Sequence, residues 1–165
     1  MARHLLFHTC IYYMSKKSAF TIVELMLVIA ILADLAVIAM PAFIRSRNMA
    51  QDTKFINDIR IGAAAFEMYV AENNSYPANA APAVIPTGMN LYLKGMDWTG
   101  GNSIGGSWQW MLNQYSTTAQ VGVVFGTPPD VVRMSDIDRR MDDGVLTTGA
   151  FRQQTSTVYT YTLEQ

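Results

Sequence analysis

The side chains that most often do chemistry are gathered at one end of this chain. Its single cysteine, Cys10, and both histidines, His4 and His8, fall within the first ten residues, and none follows. Beyond residue 10 that composition excludes zinc sites built from Cys or His, Cys/His nucleophile pairs and Ser/His/Asp triads. A lone cysteine also excludes a disulfide within the sequence. Carboxylates remain, but nothing places two of them in an apolar pocket for acid/base work. The run Gly100-Gly101-Asn102-Ser103-Ile104-Gly105-Gly106 lacks the following Lys-Ser/Thr of a phosphate loop. Trp98, Trp108 and Trp110 could line a binding surface, but packing in a small core is the expected role. No catalytic residue is assigned, and the chain is not expected to be an enzyme. The acid that stands out is Glu24, placed just inside a long apolar stretch.

That stretch is the element that positions it. From Leu25 to Ile44 only Asp34 is charged, and twenty helical residues rise about 30 Å, the thickness of a bilayer's hydrocarbon core. Arg3, Lys16 and Lys17 precede it with no acid among the first nineteen residues, so the net charge of −1 leaves −1 − 3 = −4 for the rest. A basic leader before an apolar span keeps the leader cytoplasmic and sends the C-terminal bulk outside. A secretory signal peptide has a shorter apolar region, about 7–15 residues, ending at a small-residue cut site. The near-neutral overall charge argues against nucleic acid as a partner.

Beyond Pro41, which is expected to kink the helix, the pattern becomes amphipathic. Phe55, Ile59, Gly62/Ala63, Phe66 and Val70 recur at helical spacing among polar neighbours. Asn73-Asn74-Ser75-Tyr76-Pro77 supplies the stop, so one helix is expected from about Thr21 to Asn73. Residues 78–118 read as loop-rich, with short elements near Leu91–Leu93 and Trp108–Leu112. Strand signals follow at Gln120–Phe125, Val131–Met134 and Thr157–Leu163. Ser135 is read as the cap of a short helix reaching Met141, and Asp142-Asp143-Gly144 as a turn. The expected fold class is α+β, a long N-terminal helix packed on a small antiparallel sheet.

The string Ala19-Phe20-Thr21-Ile22-Val23-Glu24-Leu25, continued to Met40-Pro41-Ala42-Phe43, resembles the N-terminal signature of type IV pilins and type II secretion pseudopilins. The resemblance is close from Lys16 to Phe43 and looser through Pro77. It implies the pilin fold, a leader (1–19) cut by a prepilin peptidase between Ala19 and Phe20, and N-methylation of Phe20. It also implies that Glu24, the fifth mature residue, and Pro41 serve assembly. The organisation expected is 1–19 leader, 20–44 transmembrane assembly helix, 45–77 amphipathic half and its turn, and 78–165 periplasmic globular domain.

An acid in lipid costs kilocalories unless paired, and cutting before Phe20 creates an ammonium about one turn from Glu24. In a stack of helices the ammonium of one subunit can meet Glu24 of another. Two residues depart from the family pattern: Ala19 stands where Gly is usual, and Asp34 lies mid-membrane, at roughly 2.5–3.5 kcal/mol on insertion scales. Leaders in the family are often shorter, and Met14 is expected to be the true start. The family also implies calcium in some major pseudopilins; Asp136, Asp138, Asp142 and Asp143 are the nearest candidates here, although their spacing fits no standard loop. No other cofactor is implied.

The turn ending in Tyr76-Pro77 and the absence of C-terminal cysteines favour a pseudopilin, a structural subunit that polymerises to help drive protein export. The alternatives are a type IV pilus subunit, and a membrane-tethered ligand-binding module on a pilin-type anchor. The partners implied are like subunits in a homo- or hetero-oligomeric filament, the prepilin peptidase, and secretion or pilus machinery. The implied location is the bacterial inner membrane, single-pass, with the filament in the periplasm or at the cell surface.

Overall fold

A computed structural model describes residues 20–164. The expectations for the leader, including Ala19 and the alternative start at Met14, lie outside the described residues. One helix, α1, runs Ile22–Asn73 with Pro41 inside it. Hydrogen-bonded helix continues through the proline without a break. The chain divides into two compact units at Phe43/Ile44.

In the first unit the described chain is helix and its leading residues. Every residue from 20 to 43 is exposed, including Phe20 at 75% and Ile38 at 76%. The helix is long and apolar enough to cross a membrane, and none of its apolar window is buried by the protein itself. A helix that is apolar all round needs an apolar surrounding, and the described residues bury none of this one.

The second unit has its own core. The rest of α1 turns Phe55, Ile59 and Phe66, all fully buried, toward a four-stranded antiparallel sheet of order β1-β2-β4-β3. The strands are β1 (Ser107–Gln114), β2 (Thr117–Val124), β3 (Phe151–Gln153) and β4 (Val158–Glu164). Alternation along β1 sends Trp108 and Trp110 to the same face. There the Phe66 and Trp110 rings stack with centroids 3.9 Å apart, and Phe55 stacks on Trp108 at 5.5 Å. Gly62 lets the helix approach closely: a Cβ there would sit 3.3 Å from Met96 Sδ and 3.7 Å from Val121. The indole N–H groups of Trp98 and Trp110 donate to the carbonyls of Val84 and Pro77, both at 2.9 Å, which pins the irregular 77–98 segment onto the core.

The α1 terminus follows its sequence signal. Asn74 adopts φ 53° and its N–H donates to Val70 O at 2.8 Å, a left-handed residue closing the last turn. Loop 78–106 contains two short 3-10 turns, Met89–Leu91 and Leu93–Gly95. The region near Trp108–Leu112 is the eight-residue β1.

One expected strand is a helix. Val131–Met134 forms the first turn of α2 (Val131–Met141), and Asp130, not Ser135, is its cap, accepting from Val132 N at 3.0 Å. The segment's apolar residues are too few to show a period, so the cap decides the conformation. Ser135 lies inside α2 and its hydroxyl donates to Gly144 O at 2.9 Å. The three-residue β3 has no counterpart in the sequence reading.

Candidate functional sites

The first site is the start of α1. Thr21 and Glu24 form a reciprocal capping box. Thr21 N and Thr21 Oγ1 both donate to Glu24 Oε2 at 2.9 Å, and Glu24 N donates to Thr21 Oγ1 at 3.2 Å. The Thr-x-x-Glu spacing that produces this is present in the sequence. The box fixes the carboxylate at the N-terminal end of the helix, where the backbone dipole favours an anion. Phe20 precedes it without helical hydrogen bonding. Asp34 is exposed on the apolar helix, with Ala, Leu, Ile and Val on both sides of it. Glu24, Asp34 and Pro41 lie along α1 and Phe20 just before it, and all four are exposed.

The second site is the acidic cluster after α2. Carboxylate oxygens of Asp138, Asp142 and Asp143 lie within 4.8 Å of one another. Asp142 and Asp143 are exposed and hydrogen-bonded: Asp142 accepts from Ala150 N, and Asp143 accepts from Val145 N at 2.8 Å and from the Thr148 hydroxyl at 2.7 Å. Asp138 is fully buried and neither of its carboxylate oxygens has a hydrogen-bond partner. Burial first, then the charges of Asp143 and Asp142, push its carboxyl up from 3.8 to about 6. The Thr148 hydroxyl, then Val145 N–H, hold Asp143 below its usual value.

Three converging carboxylates, one of them buried without a partner, fit a hard cation such as calcium, which takes oxygen ligands. Asp136 does not join them. It pairs with Arg139 at 3.0 Å on the exposed side of α2, because it lies off the buried stripe formed by Met134, Ile137 and Asp138.

Other candidates resolve into structure. Trp98, Trp108 and Trp110 are core residues. In the glycine-rich run, Asn102 Oδ1 accepts from Ile104 N at 2.9 Å and Gly106 N at 3.1 Å, so its backbone donors serve a turn. A partly buried ion pair that sequence reading passed over, Arg133 to Asp52 at 2.7 Å, ties α2 to the Ile44–Asn73 part of α1.

No family model matches the chain, and no solved structure matches it significantly. Curated proteins do. The chain is 41% identical over 80 residues to the type IV wide pilus major component of Thermus thermophilus, covering 46% of this chain and 57% of that protein. It is 36% identical over 63 residues to the type II secretion system core protein G of Pseudomonas aeruginosa, covering 38% and 44%. It is 30% identical over 88 residues to core protein G of Escherichia coli, covering 48% and 61%. The match spans about half the length of these relatives. With a long, externally apolar helix leading into a small antiparallel sheet, the chain is a relative of the type IV pilins and type II secretion pseudopilins.

Proposed function

We propose that this chain is a filament subunit of the type II secretion kind, a pseudopilin that polymerises through its N-terminal helix to help drive protein export. The observation that carries the reading is the helix start. An apolar segment that buries nothing of its own begins in a Thr21–Glu24 capping box, and it is joined to a unit with a complete core. A surface of this kind is stable in a bilayer or against copies of itself.

In this reading a prepilin peptidase cuts between Ala19 and Phe20, and Phe20 becomes the methylated terminus. Its ammonium meets Glu24 of a neighbouring subunit, setting the register of otherwise featureless apolar packing. The capping box gives Glu24 a second task. The carboxylate is held at the helix end by Thr21 before any neighbour arrives, so pairing needs little rearrangement. Pro41 removes one helical donor and supplies a point where the helix can loosen on assembly. The helix sits in the bacterial inner membrane and the folded unit lies in the periplasm. Calcium, when bound by Asp138, Asp142 and Asp143, would neutralise the buried carboxylate and tie the end of α2 to the segment leading into β3.

The second reading is a type IV pilus subunit, favoured by the 41% identity to a pilus component. A tethered ligand-binding module is the third. Deleting the gene in its host separates them: loss of exported proteins supports the pseudopilin, and loss of surface fibres with export intact supports the pilin. Unchanged export and fibres would refute both. Mass spectrometry of the membrane-extracted chain tests processing, with a methylated Phe20 terminus expected.

A further inference from the structure

We infer that Asp34 is an assembly residue, matched in the filament by the Arg45/Arg47 pair of a neighbouring copy. The inference rests on the filament reading above. Asp34 is the one charge between Leu25 and Ile44, and a carboxylate left unpaired in hydrocarbon is strongly disfavoured. Its own helix offers no remedy. The residues within one turn on either side, Ala30-Ile31-Leu32-Ala33 and Leu35-Ala36-Val37-Ile38, carry no polar side chain. The ion pairs among the described residues are Arg133–Asp52 and Arg139–Asp136. Asp34, Arg45 and Arg47 are therefore unpaired among those residues, and all three are exposed. The partner of Asp34 must come from outside its helix.

The order of charges selects a second copy of this chain. Two parallel copies displaced along the helix axis bring the Phe20 ammonium of the advanced copy over Glu24 of the other. The displacement is four residues, or about 6 Å. The same sense of displacement carries Asp34 of the advanced copy toward Arg45 and Arg47 of the other. Those residues lie 45 − 34 = 11 and 47 − 34 = 13 positions on, or about 16–20 Å along the helix. Helical side chains lean toward the N-terminus, and arginine is long enough to snorkel back by a turn or more. A four-residue displacement brings Asp34 level with Ile38 and leaves seven to nine positions, about 10–14 Å, so the arginine contact is made to a copy displaced further in the same sense. Had the cations lain N-terminal to Asp34, the two contacts would have demanded opposite displacements. Arg45 and Arg47 also project about 200° apart around the helix, so one of the two faces a neighbour on either side.

The test uses the full chain, co-expressed with a prepilin peptidase and assembled in membranes. Cysteine pairs Asp34→Cys/Arg45→Cys and Asp34→Cys/Arg47→Cys are treated with a short bismaleimide, because an Asp–Arg pair holds its Cα atoms too far apart for a disulfide. Cys10 leaves with the leader. The expected result is a ladder of linked subunits from at least one pair, at least about tenfold above either single-cysteine chain. Asp34→Arg should lose assembly, and adding Arg45→Asp with Arg47→Asp should restore it. If filaments form but neither pair links above the single-cysteine level, or Asp34→Leu assembles as the parent does, the inference is wrong while the filament reading stands. If the processed, folded parent forms no filament, the filament reading fails and this contact fails with it.

Discussion

Replacing Asp138 by Asn tests whether the acidic cluster is built around a cation. Asp138 is buried without a hydrogen bond to either carboxylate oxygen. Its carboxyl is raised from 3.8 to about 6, which corresponds to about 3 kcal/mol at 1.36 kcal/mol per decade. The folded chain therefore binds this proton more tightly than the unfolded chain. Asp138's contribution to stability is favourable below pH 4, falls as pH rises from 4 to 6, and is at its worst above 6. In chelator at pH 7, Asp138→Asn should be more stable than the parent by up to about 3 kcal/mol, less the cost of an unpaired amide. The two stability curves should converge as pH falls toward 4. With calcium in excess the order should reverse, because the parent gains a ligand and the variant loses one. Denaturant titration of the detergent-solubilised chain, followed by fluorescence of the buried tryptophans, reads this directly. A variant less stable than the parent in chelator at pH 7, with a gap that does not change between pH 4 and 7, would refute the reasoning.

Phe66→Ala removes a ring stacked on Trp110 and tilted against Trp98, and should cost about 3–5 kcal/mol, measured by the same titration. Arg133→Ala leaves Asp52 partly buried without its ion-pair partner and should cost about 1–3 kcal/mol; Asp52→Asn/Arg133→Gln together should recover part of that loss. Thr21→Val deletes the hydroxyl of the capping box. It should lower the helicity of the isolated N-terminal peptide in detergent, by circular dichroism, at a cost of about 1 kcal/mol.

The parts of this fold that repeat a pattern over many residues were legible in the sequence. The expected helix, Thr21 to Asn73, differs from the observed Ile22–Asn73 by one residue, because its apolar run, its heptad-like second half and its Asn-rich stop are all long signals. β2 is visible as a β-rich run, Gln120–Phe125, bounded by Gly126-Thr127-Pro128-Pro129, and β4 as an alternating one, Thr157–Leu163. Val131–Met134 was misread because four residues cannot distinguish a strand from the first turn of a helix. The informative residues lay outside it, in the Asp130 cap before and the Arg139-Arg140 pair after. β3 is three residues long and held by β4, so its cause is tertiary and leaves no local trace.

The same contrast holds for the sites. Phe20, Glu24 and Pro41 are nominated by the string that runs from Ala19 to Phe43. The burial of Asp138 was readable only by placing it on the Met134–Ile137–Met141 stripe of a helix that the sequence reading began too late. Asp136 looked equivalent in sequence and is excluded by a phase difference of two residues.

The central claim is assembly through the N-terminal helix, and Glu24→Ala tests it most directly. Filaments of the processed chain are counted by electron microscopy, while tryptophan fluorescence and denaturant titration confirm that the folded unit is intact. The account predicts loss of filaments with the globular core and membrane insertion unchanged. Filaments of normal number and length from the Glu24→Ala chain would contradict it.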